Sequence, residues 1–152
     1  MALLLDRAQV TALQRHVEGT YPNEGGGLLI GRTDERGRKI VTEIKPFENQ
    51  RAIEDQHNRI LITDQMYREG EAYADGKDLV LVGFFHSHPD HPARPSEFDR
   101  EHALPWWSYL IASVQNGQTA DVLSWELKED RSAFDAEEIV MVEAWHSGVK
   151  QF

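Results

Sequence analysis

The run DLVLVGFF, residues 78–85, constrains the fold of this chain more than any other segment. It is almost continuously apolar and rich in valine and phenylalanine, as suits a strand buried on both faces. Such a strand needs packing partners on either side, and the rest of the chain supplies them. A helix is predicted from about Asp6, its N-cap, to Gly19, its C-cap, with Val10, Leu13 and Val17 on one face. YPNEGGG breaks that periodicity and leads into a short apolar strand, LLIG. After the turn signal DERGR, KIVTEIKPF alternates as a strand, HNRILIT reads as another, and DQMYREGEAYADG as a helix ending near Gly76.

Beyond the buried run lies a proline-rich loop, HPDHPARP, and then a helix, SEFDREHAL. WSYLIASV reads as a second buried strand. ADVLSWEL alternates Leu123, Trp125 and Leu127 against Val122, Ser124 and Glu126, the pattern of a half-buried strand. EEIVMVEAW is the last predicted strand. Helices interleaved with a mixed sheet define an α/β or α+β domain, and 152 residues suit one domain, 1–152, around one core.

Composition narrows the function. The net charge of -10, from 26 acidic and 16 basic residues, repels phosphate backbones and anionic lipids, which argues against nucleic acid or membrane partners. The chain has no cysteine, which excludes disulfides, thiolate metal sites, a cysteine nucleophile and the cysteine-ligated zinc of deaminases. The start, MALLLDRAQV, lacks the basic and long apolar regions of a signal peptide. No apolar run is long enough for a membrane span, so a cytoplasmic protein is expected.

Chemistry concentrates where the buried strand runs out. His86 and His88 are two apart, so on a strand they point to the same side and can share one cation. Asp99 follows Ser96 by three positions in the next helix, and both face one way. S-x-x-D after a proline is also an ordinary capping box, and a carboxylate closing that box is not expected to bind metal as well. Two histidines and one carboxylate leave a zinc ion one open position, as catalysis needs. Glu24, in a glycine-flanked irregular segment, is a general-base candidate, although position alone does not select it among the acidic residues.

PNEGGGLLIG followed by HSHPDHPARPSEFD resembles the signature of the JAMM (JAB1/MPN/Mov34) metallopeptidases. Its glutamate, H-x-H pair and S-x-x-D are all present in order, as Glu24, His86, His88, Ser96 and Asp99. The resemblance implies a single MPN/JAB-like domain, a mixed central sheet flanked by helices in cytidine-deaminase-like layering. It implies one zinc per chain on His86, His88 and Asp99, Glu24 as general acid/base, and Ser96 as the oxyanion donor. The implied substrate is a ubiquitin-like or sulfur-carrier protein with a C-terminal Gly-Gly tail, cleaved after that tail. The chain departs from the pattern in having Gly26 where the family often has cysteine, and it lacks room for the large insertions of eukaryotic deubiquitinases. A catalytically inactive MPN scaffold is the alternative, against which all the ligand positions are kept. A homodimer is common for domains of this size.

His91, in the loop between the candidate ligands, and His102, one helical turn beyond Asp99, could support a ligand, and Trp106 and Trp107 could floor a substrate groove or begin the following strand in the core. His16, His57 and His146 have no partner spacing and read as surface or structural. The polar loop ENQRAIEDQHNR could rim the groove.

Overall fold

The computed structural model describes residues 2–47 and 62–142. The predicted strand HNRILIT up to residue 61, the loop ENQRAIEDQHNR from residue 48 on, His57, and the end of EEIVMVEAW with His146 lie outside the described residues. The apolar opening is a strand, β1 (Ala2–Asp6), buried throughout. Helix α1 (Arg7–Thr20) starts where expected. Asp6 Oδ1 accepts from the Gln9 N–H at 2.7 Å, and Gln9 Oε1 accepts from the Asp6 N–H at 2.9 Å, closing a capping box. Its end differs from expectation: the helix runs through Gly19, and Tyr21 is the C-cap. Leu13 and Val17 are buried on its inner face and Val10 is partly buried against the same cluster. Burying side chains of this size is worth about 1.5–3 kcal/mol each.

Strands β2 (Gly26–Thr33) and β3 (Lys39–Pro46) form an antiparallel pair, and α2 (Asp64–Asp75) ends on Gly76 as read from the sequence. The buried run becomes β4 (Val80–Pro89), followed by the short helix α3 (Glu97–His102), β5 (Ser108–Gln115), β6 (Gln118–Leu127) and β7 (Phe134–Val142). The sheet is mixed, as expected, and it closes on itself in the order β1-β3-β2-β4-β5-β6-β7, with β7 parallel to β1. The chain is a single domain of the α+β class.

β4 is covered on both faces. Val82 and Phe85 join the cluster under α1, whereas Leu81 packs with Leu28, Ile30 and Ala74 under α2. Its neighbour β5 runs parallel, and the two strands approach so closely at the Gly83–Ser108 pair that a Cβ on Gly83 would lie 2.0 Å from the Ser108 carbonyl oxygen. Only glycine fits there.

The alternation of β6 is present, but from Val122 to Glu126 its more polar side faces inward, while Leu127 on the other side is buried against Ala103 and Tyr109. Val122 packs on the core and Ser124 is buried, while Leu123 is 37% exposed. The reason is a buried cation: Lys39, at the start of β3, is 0% exposed, and Glu126 and Glu137 converge on its ammonium. Among the described residues, no helix is long and apolar enough to cross a membrane.

Candidate metal centre

β4 carries His86 and His88 to its C-terminal end, with the intervening Ser87 turned the opposite way. The His86 backbone pairs with Gly26 of β2 and Ile111 of β5, so it is fixed from both sides. Ser87 is buried, its Oγ accepting from the Gly25 N–H at 2.9 Å and its own N–H donating to the Gly25 carbonyl at 3.0 Å. This clamp places the neighbouring Glu24 on a cleft that it lines together with His88, Ser96 and Asp99.

The imidazoles and the Asp99 carboxylate converge. His86 Nε2 and His88 Nε2 are 3.3 Å apart, and they lie 3.3 Å from Asp99 Oδ1 and Oδ2 respectively. Charge-assisted hydrogen bonds are usually about 2.7–2.9 Å, so these contacts are long for direct pairing. They fit a shared ion instead, because tetrahedral ligands at about 2.0–2.1 Å from a zinc lie about 3.3–3.4 Å from one another. His88 Nδ1 is 2.9 Å from the Pro92 carbonyl oxygen, which can only accept. Nδ1 therefore donates, and Nε2 is the nitrogen turned to the cluster. His86 Nδ1 is buried with no hydrogen-bond partner among the described residues.

The electrostatics agree with the geometry. Burial pushes the His86 imidazole down, but Asp99 and, more weakly, Glu24 outweigh it and hold the ring above its ordinary range. Burial opposes ionisation of Asp99, yet His86 and His88, with the Ser96 N–H, hold its carboxyl far below the usual range. The cluster thus favours one positive charge among its donors.

Asp99 closes the capping box and faces the histidines at the same time. Its Oδ2 accepts from the Ser96 N–H at 2.8 Å while Oδ1 is left for His86, and the Asp99 N–H donates to Ser96 Oγ at 3.0 Å. An ionised carboxylate has about four lone-pair sites, enough for both duties. Ser96 accepts through its oxygen, so its hydroxyl hydrogen remains available toward the cleft.

The loop that carries Pro92 and leads to α3 is held by three successive carbonyls. Ser113 Oγ of β5 donates to the His91 carbonyl at 2.6 Å, His88 holds Pro92, and Trp125 Nε1 of β6 donates to the Ala93 carbonyl at 3.0 Å. At the far end of α3, the Arg131 guanidinium donates to the carbonyls of Ala103 at 2.7 Å and Arg100 at 3.2 Å. Sequence reasoning missed Ser87, Ser113, Trp125 and Arg131. Ser87 is hidden as the spacer of H-x-H, and the others act across 22 to 32 positions, where no periodicity operates.

Two clefts meet at this centre. One, of 740 Å³, holds Glu24, His88, Ser96, Asp99 and the exposed His91. The other, of 550 Å³, has an aromatic wall of Tyr67, Phe84, Trp107 and Tyr109 and reaches His86 and Asp99. His102 is exposed on the rim of the second cleft, its Nδ1 against the Phe98 carbonyl, and His16 packs edge-on to Phe85. The two tryptophans do not begin β5, which starts at Ser108. Trp107 is half-buried on the aromatic wall and Trp106 is 44% exposed.

Residues 6–128 match a family model described as prokaryotic homologs of the JAB domain. A protein of Haloferax volcanii named desampylase is 37% identical over 103 residues, 67% of this chain and 70% of that protein. Two solution structures share the fold along nearly the whole length. A protein from Desulfitobacterium hafniense is 30% identical with a TM-score of 0.78, covering 94% of each chain. A protein from Salinibacter ruber is 36% identical with a TM-score of 0.72, covering 93% of this chain and 92% of its own.

Proposed function

Because this chain belongs to the family of prokaryotic homologues of the JAB domain, and because its three metal donors converge between two clefts, we propose that it is a zinc-dependent peptidase or isopeptidase. Its substrate is a ubiquitin-like or sulfur-carrier protein, cleaved after a C-terminal Gly-Gly. The observation that carries this reading is the convergence of His86 and His88, 3.3 Å from each other and each 3.3 Å from one Asp99 oxygen, with Glu24 and Ser96 lining the cleft that His88 and Asp99 share. The Haloferax relative, named for removing a modifier, supports the substrate class.

His86, His88 and Asp99 would hold one zinc ion, which when bound would supply a Lewis acid and draw the pKa of water towards about 7. Glu24 takes the proton of the attacking water and returns it to the departing amine. That transfer requires the amine to lie in the cleft that contains Glu24. The acyl side, the narrow Gly-Gly tail, then extends into the aromatic cleft, where an extended peptide of small residues can reach the scissile carbonyl. Ser96 donates its hydroxyl hydrogen to the oxygen that becomes negative as the carbonyl is attacked, a contact worth about 3–4 kcal/mol in comparable sites. The acidic chain, net charge -10, suits a protein substrate rather than a nucleic acid.

The test uses the zinc-loaded protein and a ubiquitin-like carrier extended beyond Gly-Gly, with products read by mass. Wild type is expected to release the extension after the second glycine. Glu24→Gln is expected to retain one zinc per chain and lose about 10²–10⁴-fold in rate. A Glu24→Gln protein that cleaves at the wild-type rate overturns the assignment of the base.

A further inference from the structure

The buried cation of the barrel bonds the residue before a tryptophan of the aromatic cleft. Lys39 Nζ bonds Glu126 Oε2 at 2.6 Å and Ser108 Oγ at 3.1 Å, lies 3.6 Å from Glu137 Oε2, and donates to the backbone carbonyl of Trp106. Trp106 is in the left-handed region, with φ 79°, where a bulky side chain is a genuine outlier. Such a conformation persists only when the surroundings over-determine it. Here they do so at consecutive positions. The Leu104 N–H donates to Tyr109 Oη at 2.6 Å, Pro105 bridges to Leu127, and Lys39 takes the Trp106 carbonyl from beneath while its ammonium lies 4.8 Å from the Trp106 ring centroid.

The next residue is Trp107. Its ring lies against Tyr67 of α2, with centroids 5.2 Å apart, and forms the aromatic wall of the cleft that reaches His86 and Asp99. A turn that relaxed out of positive φ at Trp106 would rotate the following peptide and with it the Trp107 side chain. A fully buried lysine serving a strained carbonyl next to a cleft-lining tryptophan is more than the packing of the barrel needs, since an apolar residue would fill the same volume without desolvating a charge.

We propose that Lys39 is a positioning residue that sets the width of the substrate-tail cleft by holding the Trp106 carbonyl and so orienting Trp107. The proposal rests on the functional reading above for which cleft takes the tail. It makes no claim on the zinc ligands.

The experiment compares wild type with Lys39→Met and with a triple variant, Lys39→Met, Glu126→Gln, Glu137→Gln, which removes the buried charges together and keeps the barrel from holding unpaired carboxylates. The first readout needs no activity: the indole N–H resonance of Trp107, assigned by its loss in Trp107→Phe. It is expected to move in the folded Lys39 variants while zinc stoichiometry stays at wild type. The second is steady-state cleavage of a fluorogenic peptide ending in Gly-Gly. KM is expected to rise about tenfold, with kcat within about twofold of wild type, the mark of lost binding rather than lost chemistry. An unmoved Trp107 resonance in a folded Lys39 variant overturns the proposal. So does an unchanged KM, or a loss confined to kcat. If wild type itself leaves the peptide intact, the functional reading fails, and the resonance alone still decides the role of Lys39.

Discussion

At the scale of residues, Asp99 is the informative case. Its spacing from Ser96 is legible in the sequence as a helix cap and as a ligand pair, but the chemistry of a carboxylate, two oxygens each with its own direction, is what lets one residue close the cap and face both histidines. Asp99→Asn separates the duties. The asparagine oxygen still accepts from the Ser96 N–H, so α3 starts as before, while a neutral amide replaces the anionic donor. Zinc affinity is expected to fall by more than about a hundredfold, measured by chelator competition, with the amide protection of α3 unchanged. Wild-type affinity in this variant removes Asp99 from the ligand set, and lost protection of α3 assigns the defect to the cap. His86 and His88 were legible for a simple reason, a period of two on a strand. Glu24 was legible only through its resemblance to a known pattern, because what places it is the Ser87–Gly25 clamp, and nothing in a lone serine between two histidines announces that.

At the scale of elements, the two halves of the centre, on β4 and α3, are joined by a loop with no secondary structure of its own. Three consecutive carbonyls, at His91, Pro92 and Ala93, are each taken by a side-chain donor from a different strand, β5, β4 and β6. The loop is therefore as fixed as the sheet beneath it, and α3, only six residues long, inherits its position from that loop and from Arg131 at its other end. Helices this short have little stability of their own. Trp125→Phe keeps the ring and removes the N–H that holds Ala93. The expected result is zinc affinity about tenfold weaker, by the same competition, with the melting temperature within about 3 °C of wild type. Unchanged affinity would show that the other two carbonyl contacts hold the loop unaided. The strands β2 to β7, both long helices and α3 were readable from periodicity and caps. The anchoring of the loop at His91, Pro92 and Ala93 was not, since hydrogen bonds to loop carbonyls leave no pattern in the residue types that accept them.

At the scale of the whole molecule, closure of the sheet was the feature least visible in the sequence. The opening apolar patch becomes β1, and its pairing with β7 joins the two ends of the described chain. No local signal encodes that pairing. Closure also explains the inverted face of β6, for it brings Ser124 and Glu126 around a cation from β3. Within that cluster Glu137 is the least satisfied member. Its Oε1 accepts from Ser108 at 2.6 Å and Ser124 at 2.8 Å, but Oε2 has no hydrogen-bond partner among the described residues and lies 3.6 Å from Lys39. Burial holds its carboxyl above the ordinary value of 4.5, against the pull of Lys39 and the hydroxyls of Ser108 and Ser124. The folded chain thus binds this proton more tightly than the unfolded one. The stability it contributes is complete below the ordinary value and is lost as pH rises through the folded one. His86, also raised, acts with the same sign at higher pH, whereas Asp99, depressed, loses its contribution only as pH falls below the carboxylate range. Both are common to wild type and Glu137→Gln, so the difference between their urea midpoints isolates Glu137. The midpoints are expected to lie close together near about pH 4 and to separate as pH rises toward about 8, the variant becoming the more stable. Parallel profiles would mean that Lys39 fully compensates the buried carboxylate, and that the barrel carries its internal charge without a pH-dependent cost.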